Sequence, residues 1–336
     1  MTDQQVVDQA PHQLFIDGQW VDAENGATFE VRDPATGRVL CEVADGSPAD
    51  GMRALESAVA AQPEMAASTP RQRSDWLMAA YDLLHERIDD LALLMTLEMG
   101  KPLAEAKGEI TYASEFLRHF AGEALRISGD YQVAPAGGAR FLITRQPVGP
   151  SLLITPWNFP MAMGTRKIAP AIAAGCTSVI KPAHQTPLSM LAFVDILREV
   201  GVPDGAVNAV TAMDAGGVME PMIRSGLARK LSFTGSTRVG ALLAEQCAPT
   251  LKKMSLELGG NDAAIVLPGA DPDAVAPGIF GAAFMNAGQV CLAVKRVYVH
   301  DTLYDAVVER LARLADEAVV DDGLKQGTTL GPIQNH

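Results

Sequence analysis

Five short segments carry side chains that can do chemistry together: Trp157 and Asn158 in TPWNFP, Lys181 in IKPAHQTP, Ser236 in FTGSTRVG, Glu257 in LELGG and Cys291 in NAGQVC. A cysteine attacks as its thiolate, and an ordinary pKa of about 8.5 leaves some thiolate at neutral pH. A carboxylate can activate a water, an amide N–H can hold a developing oxyanion, and a lysine can grip hydroxyls or phosphate. Taken singly, each has a plainer explanation. Cys291 can be a small core side chain, Lys181 a solvated strand end, Asn158 a turn residue and Glu257 a helix-face charge. In FTGSTRVG, small residues between an apolar run and a helical one can expose N–H groups to a phosphate. The segment is neither GxGxxG nor Walker A, and a plain strand-to-helix turn also fits it.

The elements that must position these residues are legible around them. The apolar runs SLLIT, TSVIKP, AVNAVT, KLSFTG and KMSLEL alternate with helical stretches, which predicts an α/β fold with a parallel Rossmann-type sheet and helices on both faces. Pro187 opens one connecting helix and Gly201 closes it. Ligands of such sheets bind beyond the carboxyl ends of the strands, where the residues above stand. Earlier, LFIDGQWVDA and ATFEVRDPATGRVLCEV read as short strands turning at Asp17-Gly18 and Asp33-Pro34. One helix is predicted from Arg71 to about Met99 and another from Leu103 to about Leu125. YQVAPAGGARFLITRQPVG reads as a hairpin or arm around Gly137-Gly138. After Leu258 come the run AAIVL, a helix from about Asp271 to Asn286, a strand RVYVH and a final helix from Leu303.

Composition narrows the function classes. A chain of 336 residues, 48% hydrophobic and 20% charged, is long and apolar enough for about two domains and a sizeable core. With 27 Lys and Arg against 40 Asp and Glu, the net charge of −13 argues against nucleic acid or anionic lipid as partner. The four cysteines, Cys41, Cys176, Cys247 and Cys291, form no CxxC pair, so no zinc ribbon or disulfide framework is expected and no metal site is predicted. Cys176, in AIAAGCTSVI, reads as core. Gln146 to Thr165 is uncharged and nearly as long as a membrane span, but Pro147, Pro150, Pro156 and Pro160 make it a buried strand and loop. The first thirty residues hold no Lys or Arg and no long apolar run, so a cytoplasmic location is expected.

In this order and at these separations, TPWNFP, KPAHQTP, FTGSTRVG, LELGGND and NAGQVC resemble the aldehyde dehydrogenase superfamily, from about Leu14 to the last residue. MTLEMGKPLAEAKGEI and TPWNFPMAMGTRKIAPAIAAGCT are most similar to its succinate-semialdehyde dehydrogenase group. The resemblance implies oxidation of a small aldehyde by NAD or NADP, in a homo-oligomer. By it, Cys291 is the nucleophile, Asn158 an oxyanion donor with the Cys291 N–H, and Glu257 the base for the deacylating water. It also assigns Thr155, Pro156, Trp157, Lys181, His184, Gly205, Gly235, Ser236, Val239 and Leu258 to the dinucleotide, and Arg166 to a substrate carboxylate. The implied organisation is residues 1–125 and 148–261 as a dinucleotide-binding domain, 126–147 as an oligomerisation arm and 262–336 as a partial catalytic domain.

Three departures from the family pattern accompany this. NAD-preferring relatives commonly carry a Glu at the position of His184, so use of NADP at least comparable with NAD is expected. Met285 stands where the succinate-semialdehyde enzymes usually have a second carboxylate-binding arginine, which makes an apolar or aromatic aldehyde an alternative substrate. Family members continue beyond GPIQNH, so a shortened chain is expected. A catalytically silent dinucleotide-binding or assembly fragment is then the alternative to an enzyme. Acyl-CoA formation is the further alternative, against which Glu257 argues.

Overall fold

The computed structural model describes residues 1–335; the terminal His336 of the expected partial catalytic domain lies outside the described residues. The chain enters on helix α1 (Asp3–Gln9) and then makes two antiparallel hairpins, β1 (Leu14–Ile16) with β2 (Gln19–Val21), and β3 (Thr28–Arg32) with β4 (Val39–Ala44). Helices α2 (Pro48–Ala67) and α3 (Pro70–Glu86) both begin with a capping box and a proline in the first turn, Ser47 with Asp50 and Thr69 with Gln72. Helix α4 (Ile88–Met99) stops at Gly100, whose φ of 93° only glycine adopts freely. Helix α5 (Leu103–Ala124) follows, then the hairpin β5 (Asp130–Val133) and β6 (Arg140–Ile143), in which every strand residue is exposed.

The stretch expected as one helix from Arg71 to Met99 is two. At Arg87 the backbone leaves helical geometry (φ −103°, ψ 16°). The break lets α3 and α4 both lie against α5 while α4 also packs on α1, so Leu77 and Leu84 before it and Leu91 and Leu94 after it are all buried. Periodicity recorded the apolar stripe but not its change of direction.

The central layer alternates strand and helix: β7 (Ser151–Ile154), α6 (Ala162–Ala173), β8 (Ser178–Lys181), α7 (Leu188–Glu199), β9 (Val207–Ala209), α8 (Ala215–Arg224), β10 (Lys230–Thr234), α9 (Thr237–Cys247) and β11 (Lys253–Glu257). The sheet order is β11-β10-β7-β8-β9-β1-β2, its first five strands parallel. Strand order reverses at β7, with β8 and β9 on one side and β10 and β11 on the other. That switch point opens a crevice at the carboxyl edge. Register aligns the edge: Ile154 lies opposite both Lys181 and Phe233, and Thr234 opposite Glu257.

A smaller unit pairs β12 (Asp262–Val266) in parallel with β13 (Val294–Val299) and covers them with α10 (Pro272–Phe284) and α11 (Tyr304–Glu317) around Val266, Ile279 and Val307. Helix α10 ends at Phe284, before the expected Asn286, because Asn286 and Ala287 both take φ of 54°, outside right-handed helix geometry. Among the described residues no helix is long and apolar enough to cross a membrane.

Candidate active site

Two buried glutamates from the N-terminal helices hold the loops at the crevice. Glu98, at the end of α4, accepts the N–H groups of Leu188 (2.7 Å) and Ser189 (2.8 Å) at the start of α7. Burial pushes its carboxyl up to about 7, against those hydrogen bonds. Glu109 of α5 accepts from Met161 (2.9 Å) and Ala162 (3.1 Å) at the start of α6, and pairs with the equally buried Lys101. The Lys101 ammonium also donates to the Asn158 carbonyl (2.9 Å) and lies 4.1 Å above the centre of the Phe159 ring. The TPWNFP loop is therefore tied to α5 by a cation that binds its backbone and stacks on its aromatic ring.

The segment carrying Cys291 is tied to the same helix. Glu105 accepts the Asn286 N–H with both oxygens (3.2 and 3.1 Å), and Asn286 Nδ2 donates to the Asn158 carbonyl at 2.9 Å. Burial raises the Glu105 pKa, opposed by that N–H and by Lys101. Asn158 Nδ2 in turn donates to the Gln289 carbonyl (2.7 Å), which leaves its second N–H for another acceptor. The left-handed conformation at Asn286 and Ala287 is an unfavourable one for residues with a side chain. The Glu105 and Asn158 contacts hold it in place.

Lys101, Glu105, Glu109, Asn158, Asn286 and Gln289 border one cavity of about 770 Å³. Its wall brings together Pro156, Trp157, Asn158, Arg166, Gly235, Ser236, Leu258, Met285 and Cys291, from segments far apart in sequence. Cys291 is exposed to it. The Arg166 guanidinium lies 5.3 Å from the centre of the Phe116 ring and forms no ion pair among the described residues. Lys101, Glu105, Glu109, Asn286, Gln289 and Lys295 also line the wall and were outside the sequence expectations. Nothing local marks the first three: their charges fall on a helix or its entry and read there as solvated.

The other candidates lie around this wall. Thr155 is buried beneath the wall, its N–H donating to Lys181 O at 3.2 Å. Lys181 is 3% exposed, and its ammonium donates to the Pro182 carbonyl (2.9 Å); burial lowers it to about 8, with Asp45 acting in the opposite direction. His184 is half-buried beside it. Ser236 caps the 11-residue helix α9, accepting from Val239 N–H at 3.3 Å, so Val239 lies in the first turn just outside the wall. Gly240 makes room for Leu258: a Cβ there would stand 2.6 Å from Leu258 Cδ2. Glu257 is outside the cavity wall, at the exposed end of β11 next to the wall residue Leu258. Its charge reaches the buried Lys167, which burial and then Arg166 lower to about 8 while Glu257 opposes them.

Gly205 does not join this site, contrary to its assignment to the dinucleotide. It precedes β9, at the amino edge of the parallel strands, where its carbonyl accepts from Asn208 Nδ2 (2.8 Å) and an added Cβ would meet Ser57 Oγ at 2.8 Å. Its role there is a φ of 73° and a close approach to α2. The β9 residues at the shared edge are those that follow the strand, Val210 to Met213.

The crevice offers donors of the kind that suit a dinucleotide. Among the described residues the buried hydroxyls of Thr155 and Thr234 have no partner and Lys181 has one acceptor for three donors, and the α9 N-terminus opens beside Gly235 and Ser236.

The sequence model of the aldehyde dehydrogenase family matches residues 20–336. The chain is 48% identical over 321 residues to a glutarate-semialdehyde dehydrogenase of Pseudomonas putida, covering 96% of this chain and 67% of that protein. It is 46% identical over 321 residues to an Escherichia coli succinate-semialdehyde dehydrogenase (NADP(+)), covering 96% and 66%. A crystal structure of succinate-semialdehyde dehydrogenase from Burkholderia pseudomallei superposes with a TM-score of 0.96 at 44% identity, over 100% of this chain and 69% of that one. A betaine aldehyde dehydrogenase from Staphylococcus aureus in complex with NAD+ gives 0.96 at 29% identity, over 99% and 66%. The chain thus spans about two thirds of the length of the relatives it matches.

Proposed function

Because the chain belongs to the aldehyde dehydrogenase family, we propose that it oxidises a small semialdehyde to the carboxylate, with NAD or NADP as hydride acceptor and Cys291 as nucleophile. The observation that carries this reading is one cavity wall shared by an exposed cysteine, an amide with a spare donor, a helix N-terminus and an unpaired arginine. The Cys291 thiolate adds to the aldehyde carbon, and Asn158 Nδ2 with the Cys291 N–H steadies the resulting oxyanion. When bound, the nicotinamide supplies the acceptor for the hydride that leaves this carbon, and a thioester on Cys291 remains. Glu257, one residue from the wall, takes a proton from the water that resolves the thioester, releasing the acid and the thiol. Lys181 and the α9 N-terminus hold the dinucleotide's ribose and phosphates.

The unpaired Arg166 favours a substrate with an anionic far end. Met285, 42% exposed on the same wall, offers that end only an apolar contact. In the Met285→Arg variant, the ratio of kcat/KM for succinate semialdehyde to that for butanal is expected to rise about tenfold or more. A ratio within twofold of wild type would mean that residue 285 does not face the substrate's far end.

The primary test is reduced-nicotinamide formation by the 336-residue chain with each dinucleotide and each of these aldehydes, with and without CoA. A second reading, dinucleotide binding without turnover, is favoured by the exposure of Ile265, Leu267 and Leu292 around β12 and the Cys291 segment. A chain that binds dinucleotide and gives no product with any aldehyde would establish it. An acyl-CoA product would replace Glu257-activated water by CoA.

Lys181 adds a pH signature. Its ammonium carries charge below about 8 and loses it above, so dinucleotide dissociation constants are expected to increase severalfold between about pH 7 and pH 9. In Lys181→Met, binding is weaker and this dependence is gone. A dependence that survives the substitution would assign it to another group.

A further inference from the structure

The β3–β4 ribbon ends against the carboxyl edge of the sheet, beside the residues proposed to hold the adenine ribose. Thr28 pairs with Ala44 and Phe29 with Val43, and the Asp45 N–H closes the ribbon onto the Ala27 carbonyl at 2.8 Å. The Phe29 ring meets His184 edge-on, with ring centres 6.5 Å apart. The chain leaving β4 then docks on the residues that follow β9. Gly46 N–H donates to Thr211 O (2.8 Å), Thr211 Oγ1 donates to Ala44 O (2.6 Å), and Met213 N–H donates to Asp45 Oδ1 (2.8 Å). In the sheet β9 neighbours β8, which ends in Lys181, and Val210 N–H reaches Ile180 O at 3.0 Å. Residues 44–46, 181–184 and 211–213 therefore converge on one corner. The Asp45 charge is close enough to act on both Lys181 and His184, favouring the protonated form of each against burial.

We propose that Asp45 discriminates between cofactors: its carboxylate, delivered by the β3–β4 ribbon to the Lys181–His184 corner, accepts from a ribose 2′-hydroxyl and repels a 2′-phosphate. The inference rests on the reading that the adenine ribose lies at Lys181. A 2′-phosphate brings up to two negative charges toward a carboxylate in a partly desolvated corner, where like charges repel more strongly than in water. Asp45 thus restores in space the acidic group that His184 replaces in sequence. It shifts the balance toward NAD, opposite to the expectation from His184 alone.

The experiment is isothermal titration calorimetry of the full chain with NAD and with NADP, at low salt, for wild type, Asp45→Asn, Asp45→Ser and Asp45→Glu. Asparagine keeps an acceptor for the Met213 N–H and removes only the charge; serine is a second neutral variant should the first fail to fold. The ratio of the NADP to the NAD dissociation constant is expected to fall about five- to tenfold in the neutral variants and to stay near wild type in Asp45→Glu. A ratio unmoved by loss of the charge, or moved equally by Asp45→Glu, overturns the role of Asp45 while leaving the ribose site standing. A folded wild-type chain that binds neither dinucleotide overturns the ribose reading and this inference with it.

Discussion

Replacing Cys291 with alanine is expected to abolish reduced-nicotinamide formation, a loss of at least about a thousandfold, because no other side chain on the cavity wall can form the thioester. Dinucleotide binding should persist within a few-fold, since the Lys181 corner and the α9 N-terminus are untouched. The contrast with the other cysteines makes the experiment specific. Burial, with Glu98 and Asp8 nearby, pushes the Cys41 thiol up to about 12; burial also raises Cys247, and Cys176 is enclosed in the core. An alkylating reagent on the native chain should therefore modify one cysteine, Cys291, with loss of turnover in proportion. Turnover retained in Cys291→Ala would remove the proposed chemistry altogether.

The second large effect is expected from the Lys101–Glu109 pair. Lys101→Met leaves the Glu109 carboxylate buried without its counter-charge and deprives the Asn158 carbonyl and the Phe159 face of their cation. Breaking a buried pair on one side costs about 3–5 kcal/mol, a fall in Tm of about 5–15 °C for a chain of this size. Turnover of molecules that remain folded should fall as well, because Asn158 donates from the loop that Lys101 secures. The double variant Lys101→Met/Glu109→Gln is expected to recover much of the stability and little of the turnover. The amide oxygen of glutamine can still accept both N–H groups at the start of α6, which share one Glu109 oxygen, while nothing replaces the ammonium on the Asn158 carbonyl. Equal recovery of both would make the pair purely structural.

What could be read in the chain itself has a local physical cause. Short apolar runs alternating with helical ones specify strands and helices through periodicities of two and 3.6, and five strands expected between Ser151 and Leu258 form the parallel part of the sheet. Residues that stop such strands at their carboxyl ends stand on one edge because parallel strands share a direction. That is why Asn158, Ser236 and Leu258, 100 residues apart at the extremes, meet Cys291 on one wall. Gly205, which the resemblance and not this reasoning assigned to the dinucleotide, stands before its strand, at the amino edge away from the crevice.

Only the tertiary structure decided how those loops are held and what charge surrounds them. Glu98, Lys101, Glu105 and Glu109 carry no local signal of burial, because a charged residue is buried only when a distant partner satisfies it, and the partners come from segments after residue 157 or from across the Lys101–Glu109 turn. The break at Arg87 turns on packing that keeps α3 and α4 both against α5 and brings α4 onto α1. Asp45 is the sharpest case. Read in sequence, it follows a strand and precedes a helix cap, far from Lys181, and His184 alone speaks for the cofactor. The pairing of β3 with β4 and the docking of that ribbon beside β9 bring its carboxylate to the same corner. Periodicity can assign a residue to an element and a face; which charges share a low-dielectric corner depends on packing between elements, and electrostatic energy follows distance in space rather than along the chain.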